Sequence, residues 1–346
     1  MSARIIGAGK LPGELLADLL SGYHIDDPSV VVGPGVGIDA AAVDVGESLL
    51  VVKSDPITFA RERAPHYLVN VNANDLACMG ATPRWMLVTA LLPAGQTTEP
   101  TVRSLFDELT RACDARKISL VGGHTEIVEG LDRPILVGNL LGTVDRNRLI
   151  HPGGARLGDR LLLTRPIAVE GTALLARELC DQLGDVLPDN VLRRAANFLD
   201  TPGISVQIDA ELLLGSGAVS ALHDPTEGGL ATGVRELAMA ANAGAVISRS
   251  NVPVMAETAM IADALGLDPL GMLASGSLLA TVPTSNVEKV KAMCLEHALP
   301  FAWIGKIIPA ERGFVLREAD AERPLPMFNT DEVARALNEY KDPVAT

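Results

Sequence analysis

Aromatic residues are scarce in this 346-residue chain: two Trp, three Tyr and six Phe make up 3% of it. That leaves too few flat side chains for a platform on which nucleic-acid bases could stack. Positive charge is in deficit as well, with 29 Lys and Arg against 43 Asp and Glu and a formal net charge of −14. A surface of that sign repels phosphate backbones and anionic lipid, so neither nucleic acid nor a membrane is expected as a partner. No apolar run reaches the roughly 18 residues that a bilayer-spanning helix requires, and the first residues lack the basic-then-apolar layout of a secretory signal. Cys78, Cys113, Cys180 and Cys294 lie far apart and form no Cys-x-x-Cys pair. Cysteines of that kind are expected to be reduced and mostly buried, in a cytoplasmic protein.

What the chain does have is small and apolar: 48% hydrophobic residues and 32 Gly. Small residues let helices lie close to a sheet, which suits layered α/β packing. The length is enough for two domains. Residues 1–29 read as an N-terminal helical segment, with helical apolar spacing over 11–21. Residues 30–150 read as an α/β domain, with strands at 30–32, 49–53, 86–92, 118–121 and 135–144. Helices are expected there at 64–79 and 99–116. A turn-rich stretch containing Pro152, Gly153, Gly154 and Gly158 places the boundary near 150. Residues 151–325 read as an α+β domain. Its expected strands are 161–164, 246–248, 277–282, 301–307 and 313–316. Its expected helices are 169–183, 188–199, 205–215, 225–242 and 285–297. Residues 326–346 carry a last helix, 330–340, and a polar, frayed tail from 338 onward.

Five segments set carboxylates among glycines or amides. In the first, Gly33, Gly35 and Gly37 run into Asp39. Three glycines in five residues exceed what a turn needs, and point to close backbone approach to a phosphate. The second is Lys53-Ser54-Asp55. The third lies on the helix 64–79, which is apolar on nearly every side and therefore expected to be buried. Its Asn72, Asn74 and Asp75 then need partners, either a structural network or a metal and nucleotide. The fourth, Gly122-Gly123-His124-Thr125-Glu126, follows a short apolar strand, so His124 is expected where a strand gives way to a loop. It would act there as general acid or base, or bind phosphate. In the fifth, Asp224-Pro225-Thr226-Glu227 fits a helix capping box, with Asp224 as N-cap. Gly228 and Gly229 would then sit in the first turn, baring N–H groups to an anion. A hard cation such as magnesium suits the carboxylates, and a nucleotide triphosphate suits the glycines. Gly7 and Gly9 suggest a dinucleotide fingerprint, but Pro12 stands where its third glycine belongs.

In this order the motifs GIDAAAV (37–43), NDLACMGATP (74–83), GGHTE (122–126) and HDPTEGGLATGVRELA (223–238) resemble the aminoimidazole ribonucleotide synthetase (PurM-like) superfamily. The last motif, with Asp268-Pro269-Leu270, is most similar to the hydrogenase-maturation branch, HypE-like proteins. The resemblance implies a PurM-like two-domain fold. An N-terminal α/β domain would form a dimeric barrel-like core, flanked by a C-terminal α+β domain, with ATP bound in a cleft of the homodimer. It implies Asp39, Asp55 and Asp75 as magnesium ligands. Asn74, Gly122, Gly123 and Thr125 are implied to contact ATP and Asp224 to stand at its metal and phosphate end, while Gly35, Gly37 and Gly228 are the glycines read above as phosphate contacts. Asp75 and His124 are the catalytic candidates. The implied reaction is ATP-dependent phosphorylation of a small molecule or a carboxamide, including one on a partner protein, followed by dehydration or displacement. The alternative is a nucleotide-binding accessory protein with little turnover of its own. Hydrogenase-maturation dehydratases carry a C-terminal cysteine that accepts a carbamoyl group, whereas the last cysteine here is Cys294. No cysteine precedes Cys78, unlike selenide dikinases, and Thr226-Glu227-Gly228 replaces the Ser-Asp-Gly of thiamine-phosphate kinases.

Overall fold

The computed structural model describes residues 11, 13–22, 25–58, 60, 62–319 and 321–341. The glycines at 7 and 9 and the residues after 341 lie outside the described residues. The chain divides into two compact units. One gathers residues 25–34 and 39–149; the other gathers residues 35–38 and 150–341 together with helix α1 (Gly13–Ser21).

The first unit is built on a six-stranded sheet. Its elements are β1 (Val30–Val32), β2 (Ala41–Asp44), β3 (Leu49–Ile57), α2 (Ala64–Cys78), β4 (Thr82–Pro93), α3 (Glu99–Ala115), β5 (Ser119–Val128) and β6 (Ile135–Val144). The strand order is β1-β2-β3-β6-β4-β5, antiparallel throughout except between β4 and β5. Helix α2 packs on β3, β6 and β4, and α3 packs on α2 and β5. Strand β6 alternates strictly: Leu136, Gly138, Leu140, Gly142 and Val144 are buried, while the residues between them are half-buried. That period of two is what a sheet with one covered face and one open face requires. Every residue of α2 except His66 is buried, as its all-round apolar sequence demands.

Two strands outrun the sequence expectation. Strand β3 continues to Ile57, which puts Asp55 inside the ladder opposite Gly138. Strand β5 continues to Val128, so His124 sits in mid-strand beside Thr89 and not at a strand end. The glycines that suggested termination instead follow a bulge. Leu120 pairs with Met86 and Gly122 with Leu87, leaving Val121 as the extra residue. At Gly123, with φ +148°, any side chain would collide with the Val88 carbonyl. Only glycine lets the strand pass there. Strand β2 was not anticipated.

The second unit carries a seven-stranded sheet. In chain order it contains β7 (Arg160–Thr164), α4 (Val169–Glu178), α5 (Cys180–Gly184), α6 (Asp189–Ala196), α7 (Gln207–Gly215), β8 (Ala221–His223), α8 (Gly229–Ala240) and β9 (Gly244–Ser248). Then come α9 (Ala256–Leu265), β10 (Leu278–Val282), α10 (Val287–Glu296), β11 (Phe301–Ile308), β12 (Phe314–Glu318), β13 (Ala321–Pro324) and α11 (Glu332–Lys341). The order β13-β12-β9-β11-β7-β10-β8 is antiparallel apart from β12 and β9. Strand β10 is buried along its whole length, which explains its unbroken Leu-Leu-Ala-Thr-Val run. The helix expected over 169–183 breaks at Leu179. The last helix reaches Lys341, so residues 338–341 are helical and not a frayed tail. Helix α9 and strands β8 and β13 were not anticipated.

The largest departure concerns the capping box. Helix α8 starts at Gly229, four residues after Pro225, and its N-cap is Gly228 in the left-handed conformation with φ +77°. Asp224 does not cap it. The cap comes from far along the chain: the Gly228 N–H donates to Asp331 Oδ2 at 2.7 Å, and the Gly229 N–H donates to the Thr226 carbonyl at 3.0 Å. Both amides expected to be bare for an anion are therefore already bonded. Pro225 packs instead against Gly233, where a Cβ would approach its ring at 2.9 Å.

Candidate functional site

In the first unit the alternation of β3 turns Lys53 and Asp55 toward α2, since both pair with buried β6 positions, Leu140 and Gly138. Helix α2 answers with Asn72 and Asp75, three residues apart and on one face. The Asn72 carboxamide is spent on structure. Its Oδ1 accepts from the Asp55 backbone N–H at 3.2 Å, and its Nδ2 donates to the Leu68 carbonyl at 2.8 Å. Lys53 Nζ lies 3.2 Å from Asp55 Oδ2 and 3.2 Å from Asp75 Oδ2, bridging strand and helix. Two of the three expected metal ligands thus converge, on an ammonium that sequence reasoning had noted only as a neighbour. The signal was there: Lys53 and Asp55, two apart in a strand, must share a face.

Asp39 is 7% exposed, just ahead of β2, and Asn74 is fully buried within α2. Gly37 presses so closely on the Glu236 backbone of α8 that any Cβ would collide with it. Its freedom from a side chain is used against protein. Gly35 meets only its neighbour Ile38.

Strand β5 is the sheet edge, and all of it up to Ile127 is exposed. Gly122, His124 and Glu126 align with Leu87, Thr89 and Leu91, while Gly123 and Thr125 align with Val88 and Ala90 and so face the helix side. His124 Nε2 lies 3.6 Å from Glu126 Oε2, with both side chains well exposed. The edge also exposes Leu120, Val121 at 54% and Ile127 at 54%, next to Trp85 and Leu87 of β4.

In the second unit, β8 ends on His223, whose Nε2 lies 3.1 Å from Glu236 Oε2 of α8. Asp224 follows, 1% exposed. Around this turn gather acids that sequence reasoning missed. Asp331 caps both α8 and α11, accepting from the Gly228 and Val333 N–H groups, each at 2.7 Å. Burial still raises its pKa to about 7, against the pull of those two N–H groups. Glu170, in the first turn of α4, is buried among the negative charges of Glu227, Asp331 and Asp224. Burial first, and then those charges, push it up to about 8, opposed by the Ser275 hydroxyl. An Asp before a helical Glu at 331–332 was a legible cap signal; nothing local marks Glu170.

Two sheets, each in its own compact unit, with helices over one face of the first, define a PurM-like two-domain protein with mixed α/β and α+β character. Residues 37–144 match the AIR synthase related protein N-terminal domain, and residues 156–317 match the corresponding C-terminal domain. The chain belongs to the AIR synthase related family. A putative hydrogenase expression/formation protein of Methanocaldococcus jannaschii is 28% identical to it over 351 residues, covering 96% of this chain and 98% of the other. The carbamoyl dehydratase HypE of Escherichia coli is 29% identical over 260 residues, 73% of each chain. The crystal structure of hydrogenase maturation protein HypE in complex with ATP has the same fold, with a TM-score of 0.69 at 23% identity, over 92% of this chain and 96% of that one.

Proposed function

We propose that this protein is a cytoplasmic, homodimeric, ATP- and magnesium-dependent enzyme. It activates a small molecule or a carboxamide-type substrate by phosphorylation, with dehydration or displacement to follow. The observation that carries the proposal is the convergence of Asp55 and Asp75 on Lys53. Two carboxylates and one ammonium leave a net negative, oxygen-rich donor set, which fits a hard divalent cation. Asp55 and Asp75 would hold it, with Asp39 as the third ligand. Such a cation neutralises charge on the phosphates of ATP. Lys53 orients both carboxylates, and Asn72 locks the Asp55 backbone to α2, so the pair stands ready without rearrangement. Asn74, Gly122, Gly123 and Thr125 of the first unit are the positions proposed for the nucleotide, with His124 beside them as acid–base group.

Membership in a family that includes a carbamoyl dehydratase supports the reaction class, and the ATP-bound relative of the same fold supports the nucleotide. A second copy of the chain is the proposed occupant of β5. A ten-residue edge strand with exposed Leu120, Val121 and Ile127 is a template for pairing with its own kind. No helix among the described residues is long and apolar enough to cross a membrane.

The test is isothermal titration with magnesium and a non-hydrolysable ATP analogue. Binding that needs the metal and disappears in Asp75→Ala is the expected result. Absence of binding in the wild-type protein sinks the proposal.

A further inference from the structure

Glu170 and Ser275 are two buried polar residues of the second unit, joined through their backbones, that each keep a side-chain atom outside any hydrogen bond. Glu170 is 5% exposed and Ser275 fully buried; the Ser275 hydroxyl acts on the Glu170 carboxyl, yet Glu170 Oε2 and Ser275 Oγ make no hydrogen bond of good geometry with any protein group. Native interiors rarely tolerate such atoms without a ligand or an ordered water. The neighbouring Asp331 differs, because its two oxygens are occupied by the Gly228 and Val333 N–H groups.

The walls around the pair are rigid. The Glu170 N–H donates to the Ser275 carbonyl at 3.3 Å, Gly171 to Leu273 at 3.0 Å, and Ala274 to Thr226 at 3.2 Å. Three segments are thereby laced together: the start of α4, the loop at 273–277 and the turn before α8. They approach closely only because glycine stands at the contacts. A Cβ at Gly171 would lie 2.9 Å from the Leu273 carbonyl, and one at Gly229 would lie 2.5 Å from that of Leu270. A site framed in this way is preorganised.

Its charge is of one sign. The groups that act on Glu170 are Glu227 and Asp224 from the turn before α8 and Asp331 from the start of α11; the 273–277 loop contributes only the Ser275 hydroxyl. Those three acids make the surroundings of Glu170 favourable to positive charge. A single metal ion is the poorer match. Among the described residues, no three of these four carboxylates bring oxygens within 4.8 Å of one another. A protonated nitrogen with several N–H donors spans wider spacings. Glu227 is half-buried.

We propose that Glu170, Ser275 and Glu227 form a binding site for the protonated nitrogen of a small molecule, an alkylamine or a guanidinium. As a binding site it stands alone; as the place of the substrate's cationic end it rests on the enzyme reading above.

Calorimetric titration of nucleotide-free protein with methylguanidine and with propylamine tests it, with acetamide as the neutral control and magnesium chloride as the metal control. The expected result is binding of a cationic probe that weakens about tenfold or more in Glu170→Gln, with no comparable effect on acetamide or magnesium. Ser275→Ala and Glu227→Gln, checked for folding by circular dichroism, should weaken it in the same direction. The proposal is overturned by failure of both cations to bind the wild-type protein. It is equally overturned by unchanged affinity in all three variants, or by acetamide binding as well as the cations. Parallel titration with the magnesium–ATP analogue separates the two readings. Loss of that binding alone defeats the enzyme proposal and leaves this site standing.

Discussion

Lys53 Nζ stands 3.2 Å from Asp75 Oδ2, joining the middle of a central strand to the helix that covers it. The same ammonium is 3.2 Å from Asp55, so one cation neutralises a pair of acids that would otherwise repel each other. Lys53→Met removes the charge and keeps most of the stem. Without a cation the two carboxylates face each other in a site where Asp75 is only 6% exposed. The expected cost is about 1–3 kcal/mol of stability. Millimolar magnesium should restore much of it if the carboxylates are ligands. Thermal melts of both proteins with and without the metal read the outcome, and an equal loss in both conditions contradicts metal binding here.

Gly122 and Gly123 look equivalent in sequence but occupy different surroundings. A Cβ at Gly122 meets nothing closer than Leu87 Cδ2 at 3.9 Å, whereas one at Gly123 collides with the Val88 backbone. Gly123→Ala must push β5 away from β4 and should cost about 2 kcal/mol or more. Gly122→Ala should cost clearly less. Amide hydrogen exchange along β5 distinguishes them: protection is lost in the first variant and mostly kept in the second.

Much of this was legible from local pattern. The strand at 135–144 and the buried helix over 64–78 follow directly from period-two alternation and from all-round apolarity. What was not legible depends on contacts distant in sequence. Gly122-Gly123 resembles a strand end, and only the approach of Val88 reveals a glycine chosen so that the strand can continue. Asp224-Pro225-Thr226-Glu227 has every residue of a capping box, yet the cap is Asp331, 103 residues beyond Gly228. In the candidate site, the convergence of Asp55 with Asp75 was implied by the family resemblance. Lys53 as their common partner required the strand register. Glu170 could not be foreseen at all, because burial alone distinguishes it from an ordinary first-turn glutamate.

The open face of the first sheet offers a separate check. Leu87 is 38% exposed beside the edge strand, and Val121 is 54% exposed on its bulge. Leu87→Arg places a charge on that apolar face and should weaken self-association by at least about tenfold, with little effect on the fold of the single chain. Sedimentation should move from a dimer toward the 36.3 kDa monomer. A wild-type protein that is monomeric at micromolar concentration rules out the proposed dimer.

The buried acids of the second unit give the protein a pH dependence of definite sign. Folding raises Glu170 from 4.5 to about 8 and Asp331 from 3.8 to about 7, in both cases chiefly by burial. A raised carboxyl pKa means the native state keeps a proton that the unfolded chain has released. The contribution to stability is therefore complete below the unfolded pKa values and is lost as pH climbs toward the folded ones. Between about pH 6 and pH 8 the acids with lowered pKa values, such as Asp268 and Glu257, are ionised in both states and add no slope. Across that window the unliganded protein should lose stability as pH rises, by at most about 1.4 kcal/mol per pH unit for each proton. Glu170→Gln fixes one of those groups in its neutral form. Its melting temperature should fall less steeply over the same window, and at about pH 8 it should match or exceed that of the wild-type protein. Parallel melting curves for the two proteins would mean that Glu170 is already ionised in the native state, its proton lost to a neighbour or to solvent.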